Sequence, residues 1–162
     1  MNLNNLKFLI IVAFLFGCYT SYSQPQTLNG IEIDAPKGFK KTGDYKWQQN
    51  DDLIMVISLE GELPKENHLD VLKSVQNKTK NTSFVKNGTF NLSGKDYNCT
   101  YHLGDNGLLI VTTLVVRDGF SYIVLCGVNP GQFSGNEEEL TDKTLEKVQY
   151  LRTYMLTKIV YG

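Results

Sequence analysis

The spacing of hydrophobic positions changes several times along this chain, and each change marks an element. Phe8 to Phe16 is an unbroken apolar run, preceded by the single charge of Lys7. Thr27 to Ile33 then alternates, with Leu28, Ile31 and Ile33 apolar, until Ala35-Pro36-Lys37-Gly38 interrupts it; this predicts a first strand ended by a proline turn. Tyr45 to Gln49 and Leu53 to Leu59 predict a hairpin about Asn50-Asp51-Asp52. In its second arm Ile54, Val56 and Ser58 share one face while Leu53, Met55, Ile57 and Leu59 share the other. Both faces are mostly apolar, so this strand is expected to be central and covered on both sides.

After Pro64 the period lengthens. Asn67 is placed to cap a helix, Asp70 suits its first turn, and Leu69, Leu72 and Val75 continue one stripe to Lys78. Four strand-like segments follow at Phe84 to Leu92, Lys95 to Leu103, Leu108 to Arg117 and Phe120 to Val128. Their tight connections predict an antiparallel meander. Pro130-Gly131 breaks the run, and Ser134 with Glu137 forms a capping-box pattern for a last helix whose stripe is Leu140, Thr144, Val148, Leu151 and Met155. The sum is an α+β fold: an antiparallel sheet of six or seven strands covered by two main helices.

The apolar run at the start is too short to span a bilayer, which needs about 20 residues. With Lys7 before it and the small Ser21 and Ser23 ahead of Gln24, it predicts an export leader, 1–23, and one mature domain, 24–162. Leu15-Phe16-Gly17-Cys18 also resembles a bacterial lipobox, with Cys18 as the lipidated residue. Phe16 is bulkier than that motif usually holds, so cleavage after Ser23 is the expectation and a lipoprotein tethered through Cys18 the alternative. Either route puts the protein outside the cytoplasm, secreted or periplasmic in the first case and membrane-anchored in the second.

Charge narrows the partners. With 16 Lys and Arg against 17 Asp and Glu there is no basic excess to neutralise phosphates, which argues against nucleic acid. The cluster Lys37, Lys40, Lys41 fits a solvated loop. Cys99 and Cys126 remain in the mature chain. A two-residue turn at Asp118-Gly119 places Cys126 opposite Val111, and a similar turn at Asn106-Gly107 places Cys99 opposite Leu114. Positions of opposite parity point to opposite faces, so the thiols are expected on different sides of the sheet, roughly 10 Å apart, buried and unbridged.

Candidate chemistry is sparse. The chain has two histidines, His68 and His102. His102 with Asp105 in the following turn is the one pair that suggests an oriented base. The cysteines and histidines lack paired zinc spacing, Asp51-Asp52 and the 104–107 turn do not match a calcium loop, and no glycine loop precedes a helix. Glu137-Glu138-Glu139 fits the amino end of a helix better than a metal site. No metal or cofactor is therefore expected. Tyr45, Trp47, Tyr97 and Tyr101 alternate on strands, and any exposed subset would supply recognition anchors, with core packing the simpler role for Trp47.

The order of elements carries a resemblance. Ile31-Glu32-Ile33-Asp34-Ala35-Pro36-Lys37-Gly38-Phe39, the helix from Asn67, and the Leu92-Ser93-Gly94-Lys95 turn into a long strand together resemble the PsbP-like superfamily of small α/β sandwich domains. Phe39 stands where tryptophan is common in that family. The resemblance implies a sheet covered by helices and an accessory role rather than one shared reaction, and it transfers no site residues. The resulting expectation is an exported, non-enzymatic accessory or protein-binding module of the bacterial cell envelope. Its alternative is a small envelope hydrolase using His102 and Asp105.

Overall fold

The computed structural model describes residues 25–77, 82–105, 107–130 and 142–162. The leader with Cys18, the capping box at Ser134 and the run Glu137 to Glu139 lie outside the described residues. The chain runs through strands β1 (Gln26–Leu28), β2 (Ile31–Ile33), β3 (Lys40–Gly43), β4 (Lys46–Gln49) and β5 (Asp52–Glu60). A 3-10 turn (Lys65–Asn67) then leads into helix α1 (His68–Asn77). Strands β6 (Thr82–Leu92), β7 (Lys95–Gly104), β8 (Leu109–Arg117) and β9 (Phe120–Val128) follow, then helix α2 (Asp142–Tyr161). Seven strands form one antiparallel sheet in the order β3-β4-β5-β9-β8-β7-β6, and β1 pairs with β2 alone. The expected meander is the β6-to-β9 half of this sheet.

The two helices cover opposite faces, and strand parity shows why. On β8, Val111 and Val115 join the large core with Val148, Leu151, Met155, Leu156 and Ile159 of α2. Their neighbour Leu114 packs with Ile123 and Leu72 of α1. Adjacent strand residues point to opposite sides, so a strand with apolar residues at both odd and even positions serves both helices. Strand β5 is interior to the sheet as its pattern predicts, but only one face is fully covered: Ile54 and Val56 are buried on the α2 side, while Leu53, Met55, Ile57 and Leu59 on the other face are half-buried. Trp47 is fully buried beside Ile54 on the α2 side. Each such side chain contributes about 1.5–3 kcal/mol of burial.

Four local expectations are corrected. Thr27 to Ile33 is a hairpin rather than one strand, because Asn29 and Gly30 adopt φ of +52° and +83° and reverse the chain. Strand β3 has no apolar alternation to announce it; its exposed Lys40 and Lys41 occupy a sheet edge, where charge discourages further pairing. Asn67 lies in the 3-10 turn that extends the helix start, with its backbone N–H donating to Pro64 O at 2.9 Å.

The fourth concerns the thiols. The turn at Asp118-Gly119 does place Cys126 opposite Val111. The β7–β8 connection, however, spans 104–108, closed by Gly104 N–H donating to Leu108 O at 2.9 Å and Gly107 N–H donating to Gly104 O at 2.8 Å. Cys99 therefore stands opposite Thr113, not Leu114, and both thiols face α2. Strand β8 still separates them, and both are free and buried.

Candidate recognition cleft

Helix α1 has ten residues and so is about 15 Å long, whereas the strands beneath it have nine to eleven residues and extend about 30 Å. One helix of that length leaves part of the sheet face open. A cleft of about 630 Å3 occupies the space beside its amino end. One wall is the segment from Glu62 to Lys65 with His68, the other is Gly94 of the β6–β7 turn with Lys95 to Tyr97 at the start of β7, and Leu114 and Val116 form the floor. That volume falls in the range of small-ligand and side-chain sites.

Both walls are pinned by side-chain hydrogen bonds. The hydroxyl of Ser121 on β9 donates to Gly61 O at 2.8 Å and accepts from the Leu63 N–H at 2.9 Å. Glu62 accepts from the Gly119 N–H at 3.2 Å, tying the same segment to the β8–β9 turn. His68 Nε2 is 2.9 Å from Leu63 O, so the ring is part of the wall's own bonding. On the other side Asn91 Oδ1 accepts from the Gly94 N–H at 3.1 Å, and its Nδ2 donates to Asp96 Oδ1 at 2.6 Å. Each wall presents one cation and one anion, Lys65 with Glu62 and Lys95 with Asp96, above an aliphatic floor. This arrangement suits an apolar group flanked by polar ones.

The aromatic candidates do not converge on one surface. Trp47 and Tyr97 are buried in the core under α2, on strands separated by β5, β9 and β8. Tyr45 is half-buried, with its hydroxyl donating to Thr27 O at 2.7 Å. Tyr101 is half-buried, with Lys86 Nζ 5.5 Å from its ring centroid. Tyr97 alone of the four borders the cleft, at the edge where Lys95 Nζ lies 5.3 Å from its ring centroid.

His102 and Asp105 are not brought together either. His102 is 1% exposed beneath α1, in edge contact with Phe84 at 5.5 Å, while Asp105 is exposed in the following loop. Burial, helped by Lys73, pushes the His102 pKa below its ordinary 6.5. Among the described residues no group of three or more His, Cys, Asp and Glu is placed to hold a metal ion. No helix among them is long and apolar enough to cross a membrane. The cleft itself escaped sequence reading because its walls and floor come from three separate parts of the chain; Pro64 and the Ser93-Gly94 turn were its only local signals.

No protein-family model and no curated protein matches the sequence. Among solved structures, the chain is similar to the solution structure of cyanobacterial PsbP (CyanoP) from Synechocystis sp. PCC 6803, with a TM-score of 0.53 at 13% identity. The match covers 85% of this chain and 94% of that one. The fold is PsbP-like. At this identity the likeness concerns architecture alone. The PsbP-like frame leaves the cleft to be read from this chain's own residues.

Proposed function

We propose that this chain is an exported accessory domain of the bacterial cell envelope that binds a protein partner, receiving an apolar segment of it in the cleft beside α1. The observation that carries this reading is the cleft's construction: the aliphatic floor of Leu114 and Val116 lies between two walls, each held by its own hydrogen bonds and bearing one charge of each sign. Pre-formed walls lower the ordering cost of binding, and the paired charges orient an incoming chain. The leader expected at 1–23 from its apolar run supports the envelope address, and the PsbP-like fold is compatible with an accessory role.

Crosslinked capture from the native envelope tests the reading. Tagged wild-type protein is expected to retain a specific partner that Val116→Glu and the double change Lys65→Glu with Lys95→Glu each lose, while thermal unfolding shows both variants folded. Capture of the tagged protein alone, or equal capture by folded variants, overturns it. Intact mass of the purified mature form distinguishes a start at Gln24 from a lipidated Cys18.

A further inference from the structure

We infer that α1 is an acid-released clasp: protonation of His102 beneath it unseats the helix while the sheet stays paired. This goes beyond the cleft reading and holds whatever occupies the cleft. The seat of α1 is divided. Leu72 rests on Leu114 and Ile123, an apolar contact. Further along, Gln76 Nε2 donates to Thr112 Oγ1 at 3.0 Å. Thr100 stands opposite Thr112, and His102 follows two residues along β7, between Ile110 and Phe84. Gln76, Thr100, His102 and Thr112 are each no more than 1% exposed. Gln76 Oε1, Thr100 Oγ1 and both ring nitrogens of His102 are without hydrogen-bond partners.

A neutral imidazole tolerates that site at moderate cost, but an imidazolium brings a charge and two N–H donors into a place that meets neither. Among the described residues, the elements packed around the ring offer no anion. Lys73 faces it from α1, Phe84 from β6, Ile110 from β8 and Thr100 from β7 itself. Lys73 Nζ lies 5.1 Å from the Phe84 ring centroid, so the nearest charge repels a proton. Asp70 on α1 and Asp105 in the loop are both exposed.

The lifted state restores water to the ring and takes up a proton near the ordinary 6.5, whereas the seated state resists it. Attachment of α1 is therefore complete above that pH and weakens as pH falls below it toward the lowered value. Strand β7 is hydrogen-bonded on both sides, to β6 and β8, so uncovering His102 requires moving the helix rather than the sheet.

Amide hydrogen exchange on the full mature chain, corrected for intrinsic rates, tests this from about pH 8 to about pH 5. Protection of residues 69–77 is expected to fall about tenfold for each unit by which the ring's pKa is lowered, while amides of β8 and β9 keep theirs. His102→Gln and His102→Leu are expected to make α1 protection independent of pH. His68→Gln removes the chain's other histidine, at the first residue of α1, and is expected to retain the effect. In the wild type, the His102 ring titration followed by NMR is expected to share its midpoint with the loss of protection, a check that needs no variant. Constant α1 protection, a fall that persists in the His102 variants or is abolished in His68→Gln, a parallel fall across the sheet, or separate midpoints overturns the inference.

Discussion

Arg152 lays its guanidinium 3.9 Å from the ring centroid of Phe90, inside the core between α2 and the sheet. The residue is 5% exposed, its Nε and Nη1 have no hydrogen-bond partner, and its other neighbours include the thiols of Cys99 and Cys126. The ring face offsets part of the charge's desolvation, by about 2 kcal/mol when such a contact is dry. Removing the charge while keeping the length therefore costs little: Arg152→Met is expected to leave stability unchanged or raise it by about 1–4 kcal/mol. Phe90→Ala, which opens a cavity and strips the cation of its ring, is expected to cost about 3–5 kcal/mol. Urea unfolding of the two variants checks the opposite signs.

The two thiols are shielded rather than reactive. Burial raises the pKa of Cys126 to about 12 and that of Cys99 in the same direction, with Arg152 opposing it in both. Thiolate is the nucleophile, so neither residue is expected to react with iodoacetamide at neutral pH in the folded protein, and both are expected to react once it is unfolded. The unfolded thiols deprotonate near 9.0, before the folded ones do. Stability is then full below that pH and is lost as pH rises from there toward 12. Mass spectrometry of alkylated protein and unfolding curves in alkaline buffer measure the two effects.

Asp52 and Lys147 form an ion pair of unequal burial, with the aspartate side chain 5% exposed and the lysine 48%. Asp52 Oδ1 also accepts from the Asn129 N–H at 3.3 Å, so the carboxylate ties the end of β9 to the first turns of α2. Lys147→Ala abandons a buried anion and is expected to cost about 2–3 kcal/mol. Asp52→Asn leaves the lysine free to reach water and keeps an acceptor for Asn129; it is expected to cost about 1 kcal/mol. Thermal unfolding of both variants tests whether Lys147→Ala is the more damaging.

Sequence reasoning succeeded where the signal was local. The meander was legible because Asp118-Gly119 and Ser93-Gly94 accept the positive φ of tight turns, and the strands between them are rich in β-branched and aromatic residues. The stripe Thr144, Val148, Leu151 and Met155 likewise named the buried face of α2 before any partner was known. It overlooked Asn29-Gly30, an equally local signal, because the flanking arms have three residues each and their alternation runs through the turn.

The register of β7 against β8 was beyond that reach. A closing loop of 104–108 rather than a two-residue turn moves Cys99 from opposite Leu114 to opposite Thr113 and carries its side chain to the other face. The placement of the aromatic candidates was equally hidden, since Trp47 and Tyr97 show the same alternation whether they meet solvent or α2.

Period, turn residues and helix stripes act over a few neighbours, and from β4 onward they were enough to give the order of elements. Three-dimensional packing was needed to put α1 and α2 on opposite faces, to bury His102 beneath one of them, and to make Leu114 and Val116 the floor of a cleft between segments far apart in the chain. Those outcomes depend on which face each short helix covers and how much of a longer strand it leaves open, and chain-wide packing sets both.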